Sequence, residues 1–193
     1  MTMATRSPPP DRVGGNLALD LANTISWRST ARETDHLADA DAIVAWVRAV
    51  GLVSGNFAIP AARRPAFATE VRGLREAVMR AGKAIADGKP PPKDALAAIR
   101  DVAASSLASA SLRGAPIEIS FAPEDRILGT LAWAALDLLR SDQLDRLKRC
   151  PADNCHWLFL DRTKNRSRRW CDMATCGNRA KARQHRAFQC DGE

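Results

Sequence analysis

Four cysteines in the last third of the chain form two pairs of equal spacing. Four residues separate Cys150 from Cys155 and likewise Cys171 from Cys176, and fifteen residues lie between the two pairs. Two short pairs of thiolates can surround one ion, and Zn²⁺ binds such a set of four sulfur ligands as a tetrahedron. Because four protein ligands leave no coordination position for water, the spacing predicts one structural Zn²⁺ rather than a catalytic ion.

Disulfide bonds or free thiols are the alternatives for the same four cysteines. Residues 1–15 contain no apolar stretch typical of a secretion signal, and no segment has the apolar length that spans a bilayer. We therefore expect a cytoplasmic protein with no membrane partner, and in a reducing cytosol paired cysteines are more often metal ligands than disulfides. Cys190 lies outside the pattern and is expected to be a spare thiol. His156 could replace a cysteine as a ligand, but four cysteines already complete the shell.

Positive charge is concentrated in the same part of the chain as the cysteines. The net charge is +7, and residues 146–190 hold twelve Lys and Arg against three acids, whereas residues 1–145 hold seventeen of each sign. A neutral domain therefore carries a strongly cationic module. Positive charge segregated on one small unit suits a polyanion, and we expect DNA as the partner.

Two segments supply the candidate contacts to DNA. Residues 178–188 contain no helix breaker, and Arg179, Arg183 and Arg186 would share one face of a helix there. The polar residues 161–169 are expected to form the tip of a hairpin. Asn178 is expected to cap the helix rather than to contact a base. The predicted nucleic-acid contacts, which suit phosphate oxygens, are Arg162, Lys164, Arg166, Arg168, Arg169, Arg179, Lys181, Arg183 and Arg186.

The remainder of the chain predicts a mainly helical domain. Apolar residues at helical spacing predict helices over 41–50, 65–86, 94–102 and 127–139, and the last is apolar nearly all round, as a buried helix is. Alternation over 117–122 predicts a strand that pairs with 106–112 in a small β-hairpin. Leu144 and Leu147 are expected to continue a short helix directly into Cys150. The predicted organisation is a disordered tail at 1–14, a helical domain at 15–145 and a basic zinc module at 146–190.

The order of elements in the zinc module is itself informative. A knuckle at 150–155, a hairpin, a second knuckle at 171–176 and a helix resemble a treble-clef zinc finger. Trp157 with Phe159 or Trp170 would form its minimal core, and a module this small needs the zinc to stay folded. The predicted fold is therefore mainly α, with a small β-hairpin and a treble-clef-like four-cysteine module at the C-terminus.

These residues carry a family resemblance. The Cys-x4-Cys spacing, the run WLFLDRTKNRSRRWC at 157–171 and the run CGNR at 176–179 resemble the CGNR zinc finger. The run GNLALDLANT at 15–24 resembles the opening motif of the ABATE-type domain that precedes this finger in bacterial proteins. The resemblance implies a transcription regulator with a ligand-sensing N-terminal domain and a DNA-binding finger.

The N-terminal motif leaves its structure and its role open. Residues 17–24 fit a strand by alternation and a helix by the spacing of Leu17, Leu21 and Thr24. Asp20, Asn23 and Thr24 are candidate ligand contacts, in an apolar pocket against the helices of residues 41–86. The alternative is that they cap a helix or bind buried backbone groups.

Simple sequence features also bear on whether the protein is an enzyme, a protein–protein module or an RNA binder. The sequence has three histidines, no phosphate-binding glycine motif and no spacing typical of a nucleophile and its base, so we expect no enzyme activity. A zinc-containing protein–protein module is the main alternative, RNA binding is a second, and a homodimer is possible. Salt dependence distinguishes a nucleic-acid binder from a module with an apolar interface.

Overall fold

The helices of residues 17–139 enclose the main hydrophobic core. The computed structural model describes residues 10–123 and 125–190, with side chains up to residue 186. Within these residues the helices are α1 Leu17–Ala22, α2 Ala40–Ala49, α3 Arg64–Ala86, α4 Lys93–Ala108, α5 Arg126–Leu139 and α6 Asn178–Cys190. The two-stranded antiparallel hairpins are β1 Ile25–Ser26 with β2 Thr34–Asp35, β3 Ser111–Arg113 with β4 Glu118–Ser120, and β5 Leu147–Arg149 with β6 Leu158–Leu160. The predicted fold class is confirmed.

The apolar stripes read from the sequence face this core. Val71 and Leu74 of α3 and Leu131 and Ala135 of α5 are almost fully buried. The short helix α1 packs against both α3 and α5, so the GNLALDLANT motif is helical rather than extended. None of the described helices is both long and apolar enough to cross a membrane.

Local signals explain where the helices begin. The Asp39 carboxylate accepts a hydrogen bond from Ala42 N at 2.8 Å and caps α2, and Pro65 stands in the first turn of α3. Helix α4 begins after Pro92 and continues to Ala108, beyond the predicted end at 102. Ala103 and Ser106, which lie in the additional part of this helix, are buried. The hairpin partner of β4 is therefore 111–113 rather than 106–112.

The segment that enters the cysteine module is a strand, contrary to the predicted helix. A single 3-10 turn, Leu144–Arg146, is followed by β5, which pairs with β6. Leu147, Leu158 and Leu160 belong to the same core as the helices. A Cβ on Gly82 of α3 would come within 2.6 Å of Leu158 Cδ1, so the hairpin lies directly on α3. The cysteine module is thus joined to the helical domain by a shared core.

The N-terminal segment also contacts the module. The predicted disordered tail covers residues 1–14, of which 1–9 lie outside the described residues. Gly14 makes defined contacts: its N–H donates to Asp20 Oδ1 at 3.0 Å, and its carbonyl accepts from Leu160 N at 2.9 Å. A Cβ on residue 14 would lie 2.7 Å from Leu19 Cβ, so only glycine lets the backbone pass this close to α1. The last residue of the predicted tail is therefore hydrogen-bonded to α1 and to β6.

Candidate metal centre and nucleic-acid interface

The four predicted zinc ligands converge. The Sγ atoms of Cys150, Cys155, Cys171 and Cys176 all lie within 4.8 Å of one another, and all four side chains are buried. Cys171 Sγ is 3.5 Å from Cys155 Sγ and 3.6 Å from Cys176 Sγ. Tetrahedral Zn–S bonds of 2.3 Å place sulfurs about 3.8 Å apart. The cluster therefore has the size and donor set that one Zn²⁺ requires.

The first pair sits at the end of the β5–β6 hairpin. Cys150 N donates to Trp157 O at 2.8 Å, which extends the strand ladder, and Cys155 N donates to Ala152 O at 3.0 Å, which closes the knuckle. His156 has a positive φ of 60°, and its Nδ1 accepts from Arg149 Nη1 at 3.1 Å. This imidazole is thus engaged outside the cluster, as expected if it is not a ligand.

The second pair is held by a capped turn. Asp172 caps the π-helical turn Met173–Gly177, accepting from Ala174 N and Thr175 N at 3.1 Å each. Asn178 donates its side-chain amide to Ala174 O, so the expectation that Asn178 caps α6 is wrong. The turn feeds directly into α6, and the helix is therefore anchored at the metal cluster.

A small core covers the cluster. Phe159 is fully buried between the cysteines, and the partly buried Trp157 and Trp170 pack against the same group, as predicted. Val13 from the N-terminal segment joins them. The Arg168 guanidinium lies 4.4 Å from the centroid of the Phe159 ring. Burial of aromatic rings and sulfur around one ion is typical of a metal-stabilised module.

Electrostatics in the cluster also favours a cation. A hydrogen bond with Cys150 is the main cause that raises the pKa of the Cys155 thiol, and hydrogen bonds with Cys150, Cys155 and Cys176 raise the pKa of the Cys171 thiol. Hydrogen bonds with Cys150, Cys155 and Cys171, and the Arg179 N–H that donates to Sγ at 3.0 Å, lower the pKa of Cys176. Four thiols this close cannot all ionise without a compensating positive charge. A divalent ion supplies that charge, and thiolate is the form that binds it.

Comparison with known protein families shows which family the chain belongs to. Residues 15–142 match the family model ABATE, described as "Putative stress-induced transcription regulator", and residues 146–188 match the CGNR zinc finger. The chain belongs to the ABATE family. Both matched families are of regulatory or zinc-finger type, and the CGNR match with the four-cysteine cluster confirms one structural zinc. A comparison with curated proteins finds no match.

A buried carboxylate organises the CGNR finger between its two knuckles. Asp161 is fully buried; Lys148 Nζ donates to its Oδ2 at 2.7 Å and Arg168 N at 2.9 Å. Its Oδ1 accepts from Thr163 N and from the Thr163 hydroxyl. Burial opposes ionisation, but the Lys148 ammonium and these hydrogen bonds hold the pKa of Asp161 well below its usual range. Residues 161–169 are therefore a loop closed around a carboxylate, and not the predicted hairpin tip.

We expect Asp161→Asn to destabilise the finger by about 2–3 kcal/mol. The amide keeps the shape but loses the charge that Lys148 faces and loses acceptor capacity for the loop N–H groups. Thermal unfolding at pH 7 checks this. Asp153→Asn is the matched control, because Asp153 is exposed in the first knuckle. Equal stability of the two variants would show that the carboxylate does not hold the loop.

The nine predicted nucleic-acid contacts fall into three groups in the CGNR finger. Arg168 donates to the carbonyls of Val13 and Cys171, and Arg179 donates to Cys176 Sγ, so both are internal supports. Arg162 donates to Gly15 O, and Arg166 pairs with Asp145 at 2.6 Å, although both side chains remain exposed. The remaining exposed cations are Lys164, Arg169, Lys181, Arg183 and Arg186.

Helix α6 presents the most uniform of these surfaces. Every residue from 181 to 186 is exposed, and the sequence of the helix contains no acid. Its first residue follows the turn that carries Cys176, so the zinc cluster fixes one end of the helix. A rigidly anchored cationic helix suits contact with a phosphate backbone.

The predicted ligand contacts of the ABATE domain bond within the fold. Asn23 Nδ2 donates to Leu158 O and its Oδ1 accepts from Leu158 N, both at 2.8 Å. The Thr24 hydroxyl donates to Leu21 O at 2.7 Å, and Asp20 Oδ2 lies 3.6 Å from Arg12 Nε. Asn23 thus joins the ABATE helix α1 to the finger strand β6. Asn23 and Thr24 thus bond to backbone groups, and so does Asp20 through Gly14 N. Such bonding is the alternative role that the sequence left open for these three residues.

Two residues, Trp27 at this junction and Asp161 in the loop of residues 161–169, were missed by sequence reasoning. Trp27 has a positive φ of 56°, and the Arg179 guanidinium lies 4.5 Å from the centroid of its ring. Trp157 Nε1 donates to Ile25 O at 2.7 Å and so reaches the same hairpin. A tryptophan at 27 gives no periodic signal, whereas Asp161 could have been noticed as one of three acids in a basic segment.

Proposed function

We propose that this ABATE protein is a transcription regulator that binds DNA through the exposed, basic helix α6. The observation that carries the proposal is the cationic helix itself: Lys181, Arg183 and Arg186 are exposed, the helix has no acid, and the structural zinc fixes its start. Neutralising phosphates by such residues releases counterions and supplies affinity for any duplex. Lys164 and Arg169 of the loop are further exposed cations of the finger.

Arg179 has a different task in this proposal. Its guanidinium is half-buried, bonded to Cys176 Sγ and stacked on Trp27. Substituting it would disturb the cluster as well as the surface, and the result could not be assigned to DNA contact. A test of DNA binding therefore leaves Arg179 and Arg168 in place and changes the outer cations of α6.

We expect the triple variant Lys181→Gln, Arg183→Gln, Arg186→Gln to bind duplex DNA more weakly than the unchanged chain. Losing three phosphate contacts should make the slope of log K against log[salt] shallower by up to about three. Fluorescence anisotropy with a labelled duplex, repeated over a range of salt concentrations, measures both quantities.

A matched control removes the same charge from the ABATE domain. Lys89, Arg113 and Arg126 are exposed there, and their triple replacement by glutamine lowers the net charge equally. The control should bind like the unchanged chain. If both triple variants lose affinity to the same extent, net charge rather than helix α6 governs binding. If neither does, the proposed interface is wrong.

We also propose that the ABATE domain senses a small molecule and transmits its presence to the finger. The support is the shared core, since Leu147, Leu158 and Leu160 of the finger pack with the ABATE helices. A ligand shifts an equilibrium only if it binds two arrangements with different affinity, and typical coupling is about 1–3 kcal/mol. Repacking of α5 or α3 would then move β5 and β6, and with them the zinc cluster.

A further inference from the structure

An open cavity lies on the face of the ABATE domain formed by α4 and α5. Its volume is about 640 Å³, within the range of small-molecule sites. The α4 side contributes Leu96 and Ala97, and the α5 side contributes Trp133, Leu136 and Leu139. Leu96 is 36% exposed, so part of this apolar surface faces solvent. An apolar floor of this size favours a hydrocarbon or aromatic group.

The rim of this cavity is cationic. Lys93, Arg100 and Arg140 line it, and no acid does among the residues that the structure describes. Arg100 pairs with Asp101 and Arg140 with Asp137, but these partners are 64% and 55% exposed. Such exposed pairs are weak, so a ligand anion can take their place. Two copies joined face to face at this groove would instead oppose like charges.

From this floor and rim we infer that the α4–α5 groove binds a small amphipathic carboxylate, its apolar part on Trp133 and its carboxylate on the Arg100–Arg140 rim. This inference deepens the proposed ligand-sensing role and rests on it only for its consequence in DNA binding. The site differs from the pocket predicted beside Asp20, Asn23 and Thr24.

One residue of the groove, Leu139, also connects it with the core shared by the finger. Leu139 lines the groove and, on its other side, a small internal cavity that Leu147 of β5 and Gly82 of α3 also line. A ligand that shifts Leu139 therefore presses on the strand that leads into Cys150. This packing gives the site a physical route to the zinc cluster without any contact between ligand and finger.

Titration of the full zinc-loaded chain with decanoate tests the inference, with intrinsic tryptophan fluorescence and calorimetry as readouts and no DNA present. We expect saturable binding of one decanoate per chain. Octanoate should bind more weakly by up to about fourfold for each CH₂ removed. Decanol should bind roughly five- to tenfold more weakly than decanoate, because a neutral head group gains nothing from the cationic rim.

Two tryptophan substitutions on α4 locate the site. Ala97 lines the groove, whereas Ala98 is exposed and lies outside it. Ala97→Trp should fill the groove and weaken decanoate binding by about tenfold or more, while Ala98→Trp should leave it unchanged. Thermal unfolding of both variants establishes that each is folded.

Several outcomes would overturn the inference. Absence of saturable decanoate binding, equal binding by Ala97→Trp, or equal affinity for decanol would each contradict it. A dimer of the unchanged chain that Ala97→Trp dissociates would show that a second copy covers the groove. Because the titration contains no DNA, its failure leaves the DNA-binding proposal standing, and failure of DNA binding leaves the ligand site standing.

Discussion

Replacing Cys171 by serine should remove the zinc and unfold the CGNR finger. Cys171 Sγ lies between Cys155 and Cys176 in the cluster, so its loss leaves an incomplete ligand set. Structural zinc contributes its binding free energy to folding. Because the finger hairpin shares the core of the ABATE helices, we expect a loss of more than about 4 kcal/mol for the whole chain. The melting temperature should then fall by about 10 °C or more.

Metal analysis and thermal unfolding together check this expectation. The unchanged chain should contain about one zinc and the variant almost none. Cys190→Ser is the matched control, since Cys190 lies outside the paired spacing, and it should retain both metal and stability. A stable, metal-free unchanged protein with two disulfide bonds at 146–190 would contradict the zinc assignment.

Asn23→Ala should be the most damaging change in the ABATE motif. The Asn23 side chain satisfies both backbone groups of Leu158, and Leu158 is completely buried. Alanine would leave a buried N–H and a buried carbonyl without partners, at about 1–3 kcal/mol each. We expect a destabilisation of about 2–5 kcal/mol, measured by urea or thermal unfolding in the absence of any added ligand.

The matched control for Asn23 is the same substitution at an exposed asparagine. Asn165→Ala in the finger loop should change stability by about 0.5 kcal/mol or less. A residue that served a ligand and not the fold would leave stability unchanged when it was replaced. If Asn23→Ala is as stable as Asn165→Ala, the bridge between α1 and β6 is not a structural requirement.

Periodicity and cysteine spacing were sufficient for much of this structure. The apolar stripes of α2, α3 and α5 are continuous in sequence, and local spacing determines which face a helix buries. The four cysteines could be assigned to one metal because two matched pairs of this spacing suit a tetrahedral Zn²⁺ site. The alternating pattern predicted the small hairpin at 111–120. The first residues of its predicted partner strand, 106–108, belong instead to α4.

Long-range pairing could not be read in the same way. Residues 147–149 form a strand because they pair with 158–160 and cover α3 at Gly82, and this depends on residues far apart in the chain. Basic composition also does not distinguish the arginines exposed on the surface from those that hold the fold together. Arg168 and Arg179 resemble their neighbours in sequence, yet they bond to Cys171 O and Cys176 Sγ. Only the positions of the cysteines in space assign these two arginines to the interior.

The salt dependence of duplex binding by the unchanged, zinc-loaded chain tests the DNA-binding claim most directly. Lys164, Arg169, Lys181, Arg183 and Arg186 are the exposed cations of the proposed interface. If most of them neutralise phosphates, a plot of log K against log[salt] should have a slope of about −3 to −5. Absence of binding at low salt, or binding with a slope shallower than about −1, would contradict the claim that α6 contacts DNA.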